Sequence, residues 1–176
     1  QSGNDQILKL MGRRYDSKHY MKLIDEMKAK IPGLTLSTDI IVGFPNETEE
    51  QFNDTLKMVD YVKYDSAFTF IYSPRRGTPA AKMEDNVTYK TKVTRFKELV
   101  KHLEVSISEA AQKMVGKTYK VLVDGLSKKN KNVYSGYTEC NKLVHFEAEE
   151  DLIGKIVLVK ITESHTYSLQ GELVHE

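Results

Sequence analysis

The chain has 176 residues, 40% hydrophobic and 29% charged, with a formal net charge of +1. This is the composition of a folded protein of one large or two small domains, and it excludes a disordered chain. No apolar run approaches the roughly 18 residues of a membrane span, no signal-peptide pattern opens the chain, and the lone Cys140 excludes an internal disulfide and an all-cysteine metal site.

Gln1-Ser2-Gly3 includes no initiator Met, so a piece of a longer protein is expected, and one cysteine points to an intracellular, cytoplasmic setting with no membrane partner. The pattern predicts a helix over 16–30, with Asp16 or Ser17 as cap and Tyr20, Leu23, Ile24 and Met27 at helical spacing. Pro32-Gly33 ends it. Leu34 to Val42 reads as a strand apolar enough to be buried on both faces, as in a parallel sheet. Thr48 with Gln51 is a capping-box signature for a helix carrying Phe52, Leu56, Val59 and Val62. Ala67 to Tyr72 is a second buried strand, so 34–72 is a parallel strand–helix–strand crossover. A loop, Ser73 to Thr78, follows. Thr88 caps a long helix to about residue 114 that packs on the sheet through Val93, Phe96, Val100, Leu103, Ile107 and Met114.

After Gly116 the texture changes. Tyr119–Val123, Val133–Thr138, Leu143–Phe146, Ile156–Ile161 and Ser168–Val174 are five short strands separated by turn residues, the pattern of a small closed barrel. The expected division is therefore 1–115 and 116–176. Residues 1–115 carry 18 Lys/Arg against 16 Asp/Glu and residues 116–176 carry 8 against 9, so neither part is a basic arm.

Parallel α/β sheets bind ligands beyond the carboxyl ends of their strands. Two such ends are visible, Gly43-Phe44-Pro45 and Tyr72-Ser73-Pro74. Alternation puts Asp39, Ile41 and Gly43 on one side. Gly43 admits a ligand to the backbone, while Ile41 and Phe44 offer a flat apolar surface; ordinary core packing is the alternative. Asp39 is costly in an apolar strand unless paired. It is either an acceptor for a ligand's hydroxyl or ammonium groups or the partner of Arg13 or Arg14. Five scattered histidines form no metal motif, and no triad or phosphate-loop motif occurs. Lys128, Lys129 and Lys131 form a basic loop. Tyr134, Tyr137 and Phe146 either stack on bases or fill the barrel.

Taken in order, Q-S-G at 1–3, I-L-K-L-M at 7–11, Arg14-Tyr15, S-T-D-I-I-V-G-F-P-N-E-T at 37–48 and F-I-Y-S-P-R-R-G-T-P-A-A at 70–81 resemble the later part of a radical S-adenosylmethionine methylthiotransferase. Y-S-G-Y-T-E-C-N-K-L-V-H-F at 134–146 resembles that family's C-terminal TRAM domain, and the similarity covers essentially the whole chain; within the family, Y-S-P-R-R-G-T-P-A-A at 72–81 and N-K-L-V at 141–144 look most like the MiaB type, the (dimethylallyl)adenosine tRNA methylthiotransferases. The resemblance implies a partial (βα) TIM-type barrel followed by a small all-β, OB-like TRAM barrel. It implies S-adenosylmethionine and two four-iron four-sulfur clusters in the full-length enzyme. The chemistry would be methylthiolation of isopentenylated adenosine next to the tRNA anticodon. The cluster cysteines have no counterpart here, so this piece is expected to bind no cofactor and to be inactive alone.

Carried over residue by residue, Ser2, Asp39, Ile41, Gly43, Phe44, Tyr72 and Ser73 would face the cofactor. Arg75 and Arg76 would meet tRNA phosphates, and Lys128, Lys129, Lys131, Tyr137, Asn141 and Lys142 would serve RNA binding in the TRAM part. Asn46 stands where the family usually has Gly; Asn tolerates left-handed backbone. Tyr137 and Glu139 stand where the family often has Arg, and His145 where it often has Asn, which weakens the electrostatic case for RNA binding by this module. The alternatives are a stand-alone TRAM-type RNA-binding module and a sister enzyme acting on threonylcarbamoyl-adenosine or a ribosomal protein. A barrel lacking strands exposes an edge and apolar surface, so self-association is also expected.

Overall fold

The computed structural model describes residues 1–127, 130 and 132–174. The chain forms two compact units, Gln1–Ser106 and Ile107–Glu176. Among the described residues no helix is long and apolar enough to cross a membrane.

The first unit begins with a short helix α1 (Asp5–Leu10), capped by Asn4, whose side chain accepts from the Gln6 and Ile7 amides. Helix α2 (Ser17–Lys30) is capped by Asp16, not Ser17, through the His19 amide at 2.7 Å. Only Ile24 of its apolar positions is buried; Leu23 is exposed. Strands β1 (Ser37–Val42) and β2 (Ser66–Ile71) pair in parallel, joined by α3 (Glu49–Val62). The expected capping box closes α3: Thr48 and Gln51 satisfy each other's amides. Phe52, Leu56, Val59 and Val62 are buried as expected, with Met58 and Thr55 beside them.

Two expectations need correction. The strands are not buried on both faces. Ile40 and Val42 are buried, but Asp39 is exposed and Ile41 half-buried. On β2, Phe68 and Phe70 are 60% and 51% exposed. A strand's side chains alternate, and in a sheet of two strands the helices cover one side only. The second correction concerns α4 (Tyr89–Gln112). Its buried stripe in the first unit is Lys92, Arg95, Leu99, Leu103 and Ser106, while Val93, Phe96 and Val100 are only half-buried. Leu103, Ile107 and Met114 are buried as expected; over the first turns the buried face is rotated because two cations are part of it.

The second unit is a closed five-stranded barrel in the order β3-β4-β5-β7-β6, formed by β3 (Thr118–Leu126), β4 (Val133–Thr138), β5 (Leu143–Glu147), β6 (Ile156–Ser164) and β7 (Leu169–Leu173). All neighbours are antiparallel except β5 and β7. Val121, Val123, Val144, Phe146, Val159, Ile161 and Leu169 fill the interior, with Ala111 and Met114 packed among them. Closure leaves no free sheet edge. The β3–β4 register shifts between Val123 and Gly125, the bulge a small barrel needs to bend.

Candidate functional site

The parallel register sets Asp39 opposite Phe68 and Ile41 opposite Phe70. The Tyr72 amide then donates to the Val42 carbonyl at 2.8 Å, so both strands end level. Beyond these ends lies a cleft of about 550 Å³ lined by Ile41, Phe44, Phe70, Tyr72, Ser73 and Arg75 on the sheet side. Met11 and Arg13, from the turn after α1, and Pro79 complete it. The Phe44 and Tyr72 rings meet edge to face, centroids 5.2 Å apart at 66°, the favoured aromatic geometry. At the other end of the open face, a hollow of about 510 Å³ is lined by Arg13, Tyr15, Tyr20, Asp39 and Phe68.

The structure therefore gathers Ile41, Phe44, Tyr72, Ser73 and Arg75 at one cleft and Asp39 at the neighbouring hollow. Among the described residues the Asp39 side chain makes no ion pair or hydrogen bond, so neither Arg13 nor Arg14 neutralises it at contact distance. Ser2 lies elsewhere. It is buried, its hydroxyl 3.1 Å from Thr55 Oγ1 and accepting from the Asn4 amide. Arg76 is exposed and outside the cleft lining.

Gly43 has φ +69°, which disfavours any side chain. Its amide donates to Glu47 Oε2 at 2.8 Å, and a Cβ there would run into the Lys92 stem. The glycine thus serves the turn's own packing rather than opening toward a ligand. Asn46 takes the left-handed conformation too, at φ +67°. Glu47 is buried; burial pushes its carboxyl up, and the Gly43 amide and Arg95 oppose that. Arg95 Nη1 donates to Glu47 Oε2 at 3.1 Å and to the Glu47 carbonyl at 2.9 Å, while Nη2 reaches Glu49 at 3.3 Å. Lys92 pairs with Asp85 and lies over the Tyr72 ring, 5.1 Å from its centroid. The Tyr72 hydroxyl is buried without a partner among the described residues. Burial, then Asp85's charge, pushes this phenol up. Glu47, Lys92 and Arg95 escaped the sequence reading. The one available signal was an acid placed directly after a glycine–proline turn.

In the second unit, Tyr134 and Phe146 are core residues, stacked at 6.0 Å, with the Tyr134 hydroxyl donating to the Glu150 carbonyl. Tyr137 is exposed. It sits beside the β4–β5 turn, where Asn141 has φ +59° and the Lys142 amide donates to Thr138 Oγ1 at 3.0 Å. Asn141 is exposed, whereas Lys142 is largely buried. Lys128, Lys129 and Lys131 lie outside the described residues.

The sequence of this chain matches two known families. Residues 1–59 match the Radical SAM superfamily and residues 112–174 the TRAM domain. The chain is thus a radical SAM segment followed by a TRAM domain. Along all 176 residues it is 52% identical to the tRNA-2-methylthio-N(6)-dimethylallyladenosine synthase of Bacillus cereus strain B4264, covering 35% of that protein. It is 51% identical to the synthases of Geobacillus kaustophilus and Bacillus subtilis strain 168, covering 33% and 35% of them. The chain belongs to the MiaB-type tRNA methylthiotransferases as a C-terminal segment, spanning about a third of the length of these curated relatives.

The residues present fit part of the cofactor set that the family implies. An apolar, aromatic-edged cleft suits the adenosine end of S-adenosylmethionine. The chain has a single cysteine, Cys140, whose Sγ lies 3.1 Å from Thr138 Oγ1 in the barrel, so it does not hold the set of thiolates that a four-iron four-sulfur cluster takes.

Proposed function

We propose that this segment forms one wall of the S-adenosylmethionine site of a tRNA methylthiotransferase that modifies dimethylallyladenosine beside the anticodon, and carries the enzyme's TRAM module for tRNA. The observation that carries the reading is the cleft at two level strand ends, lined by Ile41, Phe44 and Tyr72, within a sequence about half identical to such synthases. Ile41, Phe44 and Tyr72 would flank the adenine and exclude water from it, and the unpaired Asp39 would accept a hydroxyl or ammonium hydrogen bond. S-adenosylmethionine held against this wall, with two clusters bound by other parts of the full-length enzyme, would supply the radical chemistry and the sulfur. Arg75 at the cleft rim and Arg76 beside it would meet tRNA phosphates, with Tyr137 and Asn141 at the barrel's β4–β5 turn as a second contact. A tRNA substrate places this work in the cytoplasm.

The test compares two proteins after reconstitution with iron, sulfide and S-adenosylmethionine. The full-length enzyme should yield methylthiolated dimethylallyladenosine in digested tRNA, read by mass spectrometry; this chain alone should yield none. Product from the chain alone, or none from the full-length enzyme, would overturn the reading. The exposed Tyr137 also supports a second role, RNA binding by the barrel without catalysis. Titration of a labelled anticodon stem-loop at two salt concentrations would show weak binding that falls with salt, and no affinity at low salt would remove that role.

A further inference from the structure

Lys92 and Arg95 are the buried cations of the first unit among its described residues, and both sit at the start of α4 on one face. Burying a cation is costly unless it is paired and hydrogen-bonded. A helix anchored only for stability would place apolar residues there, as α4 itself does further on with Leu99 and Leu103. Both cations instead reach the acids and carbonyls of two short segments, the 43–49 turn and the loop before α4. Arg95 holds Glu47 by side chain and carbonyl, and Glu47 holds the Gly43 amide. That closes the turn carrying Phe44 on itself and pins it from behind. Lys92 fills the space beside Gly43 with its stem and sets its charge over the Tyr72 ring. Each cation also leans on an aromatic face, Arg95 on Phe52 at 5.6 Å. Neither residue lines the cleft, yet each grips one of its two aromatic edges from outside.

We propose that Lys92 and Arg95 are positioning residues of the cofactor cleft, which fix the Phe44 and Tyr72 rings in their edge-to-face arrangement before the adenine arrives. The proposal rests on the reading that the cleft takes an adenosine-bearing ligand. A site held by packed neighbours needs no rearrangement on binding, whereas a loosened one must order first.

The experiment measures equilibrium binding of S-adenosylhomocysteine to the full-length enzyme by calorimetry, with amide hydrogen exchange at residues 43–47 in the same proteins. Arg95→Met and Lys92→Met keep volume but lose charge. Each should weaken binding roughly tenfold or more, as small misplacements in a site do, and speed exchange at 43–47 while α3 amides stay protected. Arg95→Lys keeps a cation for Glu47 and should recover most of the affinity. Glu49→Gln, which removes only Arg95's exposed partner, checks folding if the methionine variants do not fold. It should leave the protein folded with modestly faster exchange at 43–47 and a modest loss of affinity. Unchanged affinity in folded variants, or a loosened turn with full affinity, would overturn the positioning role. If the unmodified enzyme fails to bind S-adenosylhomocysteine at all, the cleft reading falls first and this proposal with it.

Discussion

Tyr64 is 1% exposed, and its hydroxyl is satisfied by Tyr20 at 2.9 Å and by the Gln1 side chain at 3.4 Å. Burial, then the Tyr20 hydroxyl, pushes its pKa well above the ordinary 10.0. In the unfolded chain the phenol ionises near that ordinary value, while the folded protein keeps it neutral. The folded state then holds the extra proton, so stability is fully present below pH 10 and is lost as pH rises beyond it. This one group should cost about 1.4 kcal/mol per pH unit above 10. Denaturant melts at pH 8 and pH 11 should show a shallower decline in Tyr64→Phe, together with a loss of about 1 kcal/mol at pH 8 from the deleted hydrogen bonds. At Gly43, alanine meets both the left-handed backbone and the Lys92 stem. Gly43→Ala should destabilise the chain by about 2–4 kcal/mol. In a double-mutant cycle with Lys92→Ala the combined cost should fall short of the sum, because only the steric part depends on Lys92. Strict additivity in thermal melts would place the strain in the backbone alone. The strand-end rule was enough to find Phe44 and Tyr72 from the sequence. Lys92 and Arg95 were not legible, because a charged residue in a helical pattern counts as solvent-facing until its partner is seen, and Glu47 showed only as an acid following the turn.

The elements best read from sequence are those whose ends are fixed by local chemistry. The capping box at Thr48 placed the start of α3 to the residue, since reciprocal side-chain bonds to the Thr48 and Gln51 amides act within four residues. Thr48→Ala should cost about 1 kcal/mol in denaturant melts, a loss confined to the first unit. Helix α4 shows the limit of the same method. Its extent was legible, but over its first turns its orientation did not follow from apolar spacing. Val93, Phe96 and Val100 lie one position on from the buried Lys92, Arg95 and Leu99, so over these turns a stripe counted on hydrophobicity alone turns the helix by about 100°, whereas Leu103 and Ile107 are buried as counted. The strands show a related limit. An apolar run is consistent with burial on both faces, but which face is covered depends on neighbours that a local pattern does not contain. In the barrel the sequence left open whether Tyr134, Tyr137 and Phe146 face in or out. Closure covers one face of every strand, so Tyr134 and Phe146 point in and Tyr137, three positions on from Tyr134, points out.

At the scale of the whole chain, a change of texture after Gly116 was visible, although the two compact units divide earlier, between Ser106 and Ile107 within α4. What lies on the open side of the first sheet was not visible. Among the described residues strands β1 and β2 pair only with each other, and their open face carries Phe68, Phe70, Ile41 and the aromatic cleft. Two strands with an apolar face are marginal alone and attract further sheet or surface. In solution the chain by itself should therefore self-associate through this face, with a light-scattering mass that rises with concentration. Phe68→Ser and Phe70→Ser remove exposed rings without touching the helix-covered core, so the double variant should remain folded and shift toward the monomer mass. In the full-length enzyme the same substitutions should leave the mass unchanged if other parts of the protein cover the face. A chain that stays monomeric at all concentrations, with both phenylalanines in place, would mean that the polar neighbours Ser37, Asp39 and Arg13 already keep this face hydrated.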